Sequence, residues 1–260
     1  MENTMSPEAY LEMENLEKTH WWYHGRRKVI KEQISLLDLP ENASILEIGC
    51  GTGGNLKMLS AYGHVSAIET NDFARKVAIK NNKNIAEIYP GSAPNNIPFK
   101  NVKFDLICIF DVLEHIEDEL STLNALKKIL APNGKIILTV PAYQWLWSTH
   151  DEYHHHYRRY SKKNIIFIAS ELGFYINKIS FFNTLLFPIA AAMRLLTRVI
   201  NKKSHTQTNH PSRFINKILI TIFSSESKIL KISNFPFGLS LIAVFTKKKH
   251  PQLFKTTNIL

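Results

Sequence analysis

The sequence predicts an α/β fold: a mostly parallel seven-stranded sheet with helices on both faces, an antiparallel last strand and a helical insertion just before it. Three observations predict it. From residue 44 to residue 141 short apolar runs alternate with helical spacings, the rhythm of strand–helix–strand units. The run FDLICIF at 104–110 is apolar throughout, as expected of a strand buried on both faces. Beyond Pro141 two longer helical patterns precede one last apolar run at 239–245.

Each element has its own signal. A helical stretch runs over 20–37 and stops at Asp38-Leu39-Pro40, where proline blocks continuation. Residues 44–48 read as a strand, 55–62 as a helix, 64–69 as a strand and 72–82 as a helix; 85–89 is a weaker strand. After 104–110 come a helix over 117–130, closed by Pro132-Asn133-Gly134, and a strand over 135–140 closed by Pro141. Residues 142–160 are aromatic and histidine-rich. A helix over 162–172 stops at Gly173, a strand follows at 174–182, and helical patterns over 185–200 and 213–231 flank the polar linker NKKSHTQTNHPS. The organisation is therefore an N-terminal helical lid (1–43), a core (44–182), a basic amphipathic insertion (183–235), and the last strand with a basic tail (236–260). About fifty inserted residues make a marginal core alone, so the insertion belongs to the one sheet.

Charge is placed unevenly. Residues 194–260 hold 12 of the 32 Lys/Arg but only one of the 22 acids, Glu226. That asymmetry points to an anionic partner, a membrane surface or a nucleic acid. The basic residues flank amphipathic helical patterns and do not interleave with aromatics along one face, which favours a membrane over a nucleic acid, and no nucleic-acid partner is expected; that the two helices only pack together and cap the acceptor pocket is the equal alternative. The apolar stretch around 185–200 is broken by Asn183, Pro188 and Arg194 and does not read as a span. The first twenty residues carry acids and no apolar core, so they are not a secretory signal. Cys50 and Cys108 sit in apolar runs, as buried reduced thiols would. The expected location is the cytoplasm, with peripheral contact at the inner membrane face.

The chemistry starts at ILEIGCGTGGNL, a strand running directly into a glycine cluster and a helix. Glycines there let the chain turn tightly and let a ligand approach the helix N-terminus. Gly49, Gly51 and Gly54 also satisfy the dinucleotide fingerprint, and Glu69 at the end of the next strand suits any ribose. Taken alone, the turn admits NAD(P), and with it an oxidoreductase, as readily as S-adenosylmethionine (SAM). Glu47, two residues before Gly49, tips the balance, since a carboxylate there could bear on the cationic end of SAM.

The motifs then recur in order: GSAP…IPF at 91–99, Asp111-Val112-Leu113-Glu114-His115 after the fourth strand, and LKKILAPNGKIILTVP. Together they resemble the class I SAM-dependent methyltransferases, whose fold is Rossmann-like. The resemblance implies Gly49, Gly51 and Gly53 along the methionine part of SAM, Glu69 on the ribose, Ser92 and Ala93 about the adenine, and Asp111 closing the pocket. Ser92 departs from the aspartate of many relatives, so its adenine contact falls to a hydroxyl or a backbone carbonyl. The Asp/Asn-Pro-Pro-aromatic motif of nucleic-acid amino methyltransferases is absent, which favours oxygen or carbon acceptors on smaller molecules.

For the acceptor, a hydroxyl needs a base. Candidates are His115 and the cluster from Trp147 to Tyr160, with His156 as base and Asp151 beside it; the plain alternative for this histidine run is a polar surface loop. Arg158 and Arg159 could grip a carboxylate or phosphate bidentately, with Tyr160 and Trp22 as aromatic walls. The run His156-Tyr157-Arg158-Arg159-Tyr160, with Pro236-Phe237-Gly238-Leu239-Ser240, resembles methyltransferases of polysaccharide and cell-envelope biosynthesis. That resemblance implies a sugar, a lipid-linked glycan or another small acceptor. Ubiquinone-pathway relatives imply a divalent cation on Asp111, Glu114 and His115, although simple lining of the pocket is the favoured reading for these three. A membrane-surface binding module without catalysis is the remaining alternative.

Overall fold

A computed structural model describes residues 6–199 and 211–247. The first five residues of the lid, the linker up to residue 210 with the last residue of the preceding helical pattern, and the tail at 248–260 lie outside the described residues. The strands are β1 (Ala43–Ile48), β2 (Gly63–Glu69), β3 (Ala86–Pro90), β4 (Phe104–Phe110), β5 (Leu130–Pro141), β6 (Phe174–Phe182) and β7 (Ser240–Lys247). They form a sheet in the order β3-β2-β1-β4-β5-β7-β6, and β7 runs antiparallel to both its neighbours. The helices are α1 (Pro7–Thr19), α2 (Trp21–Ile34), α3 (Leu56–Leu59), α4 (Asp72–Asn81), α5 (Glu119–Ile129), α6 (Thr149–Tyr153), α7 (Lys162–Glu171), α8 (Phe187–Val199) and α9 (Arg213–Ile232).

Strand side chains alternate between two cores, as the period of two requires. Leu46, Ile107 and Leu138 pack with Leu123 and Leu126 of α5 and Ile165 and Ile168 of α7. Their chain neighbours Ile45, Cys108 and Ile137 pack on the opposite face with Val29 and Ile30 of α2, Leu56 and Leu59 of α3, and Phe223 and Leu230 of α9. Both cysteines are buried and free. Helix starts are capped locally: Asn71 accepts from the Phe73 and Ala74 amides, Asp118 from Ser121, and Ser161 and Asn164 cap α7 reciprocally.

Three elements differ from the sequence expectation. The helix read over 55–62 shortens to α3, because the chain turns at Ser60 to enter β2. β5 starts at Leu130, opposite Phe104, and pairing resumes at Lys135 opposite Leu106; the Pro-Asn-Gly turn is carried as a bulge within the strand. The third is α1, absent from that reading as a separate helix. Ser6 caps it and Pro7 occupies its first turn.

The insertion's second helix packs along α2, and the seam is tight at Gly25. A Cβ there would lie 2.1 Å from Phe223 Cδ1 and 2.4 Å from its Cγ. Gly25→Ala is therefore expected to cost about 1–3 kcal/mol through overpacking, although alanine is the better helix former by about 1 kcal/mol. Thermal unfolding checks it, and an unchanged or raised Tm would show that the seam has room.

Candidate active site

The carboxyl ends of β1, β2, β4 and β5 share one edge of the sheet, where parallel α/β folds bind ligands. At the end of β1 the chain turns back through Gly49, Gly51 and Gly53, at φ 65°, 55° and 88°, a left-handed path that side chains disfavour. The Gly49 amide donates to the Ile68 carbonyl at 2.9 Å, and the Gly51 amide to Glu69 Oε2 at 2.8 Å. Glu69 Oε1 accepts from the Asn71 amide at 2.9 Å. A carboxylate has about four acceptor positions, so these bonds orient Glu69 and leave it capacity for a ribose hydroxyl.

Helix α1 lies over this turn. Glu17 is buried and accepts from the Thr52 hydroxyl, and a Cβ at Gly51 would lie 2.9 Å from the Met13 methyl. Burial, and then the charge of Glu69, push the Tyr10 phenol up to about 12. Below the turn, Glu47 is 1% exposed; Asn55 donates to its Oε1 at 2.8 Å, while Oε2 has no partner. Burial pushes Glu47 up to about 8.

At the end of β4, Asp111 holds φ 54° and pairs with Arg26 of α2. Arg26 is buried, its guanidinium stacked 4.7 Å from the Trp22 ring centroid, and its Nε has no partner. Burial, and then the Asp111 charge, push Glu114 well above the usual carboxylate range. Glu17, Glu47, Asp111 and Glu114 thus all feel the Arg26 guanidinium, and Glu69 adds its charge beside Glu47. Such an excess of carboxylates is relieved by a cation and aggravated by a pyrophosphate. SAM, with its sulfonium, fits this donor set; an anionic dinucleotide does not.

The histidine-rich segment folds back onto the same edge. Tyr160 donates its amide to the Pro141 carbonyl and Tyr143 to the Tyr160 carbonyl, both at 2.8 Å. This closes 142–160 into a loop built around Asp151. Asp151 is fully buried and accepts from the Ser148 amide at 2.8 Å, Arg159 Nε at 2.7 Å and His156 Nδ1 at 2.9 Å. These bonds hold its carboxyl far below the usual range in spite of burial. The loop meets the β4 end where the Tyr157 amide donates to the Glu114 carbonyl at 2.8 Å. There the His156 and His115 rings stand edge to face, 4.6 Å apart. The surrounding protein, and after it the neighbouring imidazoles, push His115 and His154 down to about 3 and about 4. The protein around it, and then His154, do the same to His150.

The sequence profile of the methyltransferase domain family matches residues 21–179. The chain belongs to this family. It is a SAM-dependent methyltransferase with the class I fold. It is 31% identical over 120 residues to a ubiquinone biosynthesis O-methyltransferase of Bartonella tribocorum, covering 44% of this chain and 47% of that protein. A demethylmenaquinone methyltransferase of Staphylococcus saprophyticus is 29% identical over 119 residues, 43% of this chain and 48% of that protein. The chain spans about half the length of these curated relatives. Among solved structures, the Haemonchus contortus phosphoethanolamine N-methyltransferase 2 bound to SAM shares the fold with a TM-score of 0.57 at 16% identity, over 85% of this chain and 52% of that one. So does the [4+2]-cyclase SpnF, with a TM-score of 0.56 at 14% identity, over 86% and 81%. A fold shared by a cyclase and a methyltransferase does not by itself define the acceptor. The family assignment removes the oxidoreductase reading of the glycine turn.

Several expected roles change in this methyltransferase. Arg158 and Arg159 do not act as a pair. Arg158 bridges Glu119 at 2.8 Å and donates to the Glu117 carbonyl, whereas Arg159 is buried on Asp151 and the Ala142 carbonyl. Tyr160, 1% exposed, donates its hydroxyl to Glu119, with the Leu113 carbonyl 3.3 Å from the same oxygen. All three brace the loop. Trp22 is half-buried beneath Arg26. Of the cation triplet, Asp111 is committed to Arg26, while Glu114 and His115 meet His156, with ligand atoms within 4.8 Å of one another. Ser92 and Ala93 lie in the turn closed by the Ser92–Asn96 backbone pair. Tyr10, Met13, Glu17 and Arg26 were not foreseen as part of the site; the Ser6-Pro7 helix start was the available signal for the first three.

Proposed function

We propose that this methyltransferase methylates an oxygen of a small or lipid-linked acceptor, a sugar or glycan intermediate in the first place, with His156 as general base. The observation that carries the reading is the Asp151–His156 pair at the carboxyl edge of the sheet. When bound, SAM supplies an electrophilic methyl whose leaving group needs no protonation. Glu47 and Asp111 would sit against its cationic end, the glycine turn along its methionine part and Glu69 on its ribose. Asp151 holds the Nδ1 proton of His156 and leaves Nε2 to take the acceptor hydroxyl's proton. Because His115, His150 and His154 stay neutral at neutral pH, none of these three imidazoles places a positive charge beside His156. The kinship with a ubiquinone biosynthesis O-methyltransferase supports oxygen as the acceptor atom.

The test is transfer of a radiolabelled methyl from SAM to catechols, monosaccharides and a bacterial polar-lipid extract, with alkaline stability separating ethers from esters. Label on amines alone would overturn the oxygen reading. Loss of transfer after EDTA treatment, restored by a divalent cation, would shift the deprotonating role from His156 to a metal on Glu114, His115 and His156.

The raised Glu47 has a thermodynamic consequence. Its carboxyl keeps a proton at neutrality while the site is empty, and a cation alongside lowers that pKa. SAM binding is therefore expected to release a proton, with affinity rising as pH climbs toward about 8, by at most about tenfold per unit. Titration calorimetry in buffers of different ionisation enthalpy counts that proton. Glu47→Gln should release correspondingly less, and an equal count would remove Glu47 from the cationic end.

A further inference from the structure

Helix α8 is built inside out for a helix facing water. Its outward residues are Pro188, Ile189, Ala192, Met193, Leu195 and Leu196, with Ile189 65%, Met193 62% and Leu196 58% exposed. Its one charged side chain of described placement, Arg194, turns toward the protein and donates to the Leu146 carbonyl at 3.0 Å. The inner face is already occupied. Ala191 is buried, and the Phe187 ring lies 5.8 Å from Tyr143 and 5.5 Å from Phe237. A solvent-facing stripe of aliphatic side chains of this extent marks an interaction surface.

Charge says what covers it. Of the acids, the stretch 194–260 holds only Glu226, which is fully buried and accepts from the Leu185 amide. Against it stand 12 Lys/Arg, including Lys202 and Lys203 shortly after α8 in sequence. Arg213, Lys217 and Lys228 are exposed, and among the described residues none of them is in an ion pair. A second copy of so cationic a region would be repelled, and a nucleic acid would need exposed aromatics where α8 presents aliphatics. No described helix is long and apolar enough to cross a membrane. We infer that α8 docks the enzyme onto an anionic lipid bilayer, lying along the headgroup layer with its aliphatic face in the acyl region and basic residues around it.

The seat of α8 adds a consequence that rests on the proposed role of His156. α8 leans on Tyr143 and Leu146, at the head of the loop that carries Asp151 and His156. Docking by this helix holds the base near the bilayer, where an amphiphilic acceptor resides.

Flotation of the full chain with phosphatidylcholine vesicles and with mixed phosphatidylcholine–phosphatidylglycerol vesicles tests the docking. Partition to the anionic vesicles is expected to be about tenfold or more tighter and to weaken with added salt. Ile189→Glu/Met193→Glu should abolish flotation while SAM binding and Tm stay at wild-type values, because both positions are exposed. His156→Ala should float like wild type, so a wrong base leaves this result standing. Equal partition to neutral vesicles, flotation that survives the double substitution, or no flotation at all would overturn the inference. So would a wild-type dimer that the substitution splits with no flotation, since that gives the face to a second copy.

Discussion

Replacing His156 by alanine is expected to slow methyl transfer about 10²–10⁴-fold, the usual contribution of a positioned base, with SAM binding unchanged. The side chain bonds Asp151, and its ring stands against those of His115, His150 and His154. Single-turnover transfer to whichever acceptor takes label measures the loss. His156 is a cleaner probe than Asp151, whose substitution would also leave the buried Arg159 guanidinium without its carboxylate. Asp151→Asn should therefore cost more stability than His156→Ala, which removes only one of the three bonds to that carboxylate. A His156→Ala enzyme that keeps wild-type rates would end the base assignment.

Arg26→Ala is expected to produce the largest loss of stability. The substitution strands Asp111 and removes a guanidinium whose charge acts on Glu17, Glu47 and Glu114 alike. Breaking a buried ion pair from one side costs about 3–5 kcal/mol, partly relieved here because the carboxyls can take up protons. For a chain of this size that lowers Tm by about 10 °C. The loss has a definite pH sign. Without Arg26 the folded-state pKa values of Glu17, Glu47 and Glu114 rise further above their unfolded values. Such groups favour the fold below the unfolded pKa and lose that contribution as pH rises through the folded one. The Tm deficit should therefore widen as pH rises through the raised wild-type values of these groups, for Glu47 from about 8 upward. A deficit that is flat with pH would show that Arg26 contributes packing on Trp22 and not charge compensation.

How much of this was legible beforehand depended on the kind of signal. Strands buried on both faces announce themselves, as FDLICIF did. A glycine turn after a strand is equally plain, because few residues tolerate three left-handed conformations in five positions. Helix α1 lacked such a signal. Periodicity detects a helix by the apolar stripe it buries, and α1 buries Leu16 beside Glu17. Its inward face is part of the site, so its pattern reads as polar. Arg158 and Arg159 misled for a related reason. Adjacent residues in an extended segment point to opposite sides. Arg158 and Tyr160, two apart, meet at Glu119, while Arg159 turns to Asp151.

By itself the sequence determined the order of the sheet's elements, the glycine turn with its flanking acids, and the uneven charge of the last quarter, because each is written in neighbouring residues. Only the tertiary structure decided that Arg26 answers Asp111, that His156 leans on Asp151 beside His115, and that α8 turns its aliphatic face outward. Those are contacts between segments brought together by the sheet's crossovers, and burial by a distant segment leaves no local pattern.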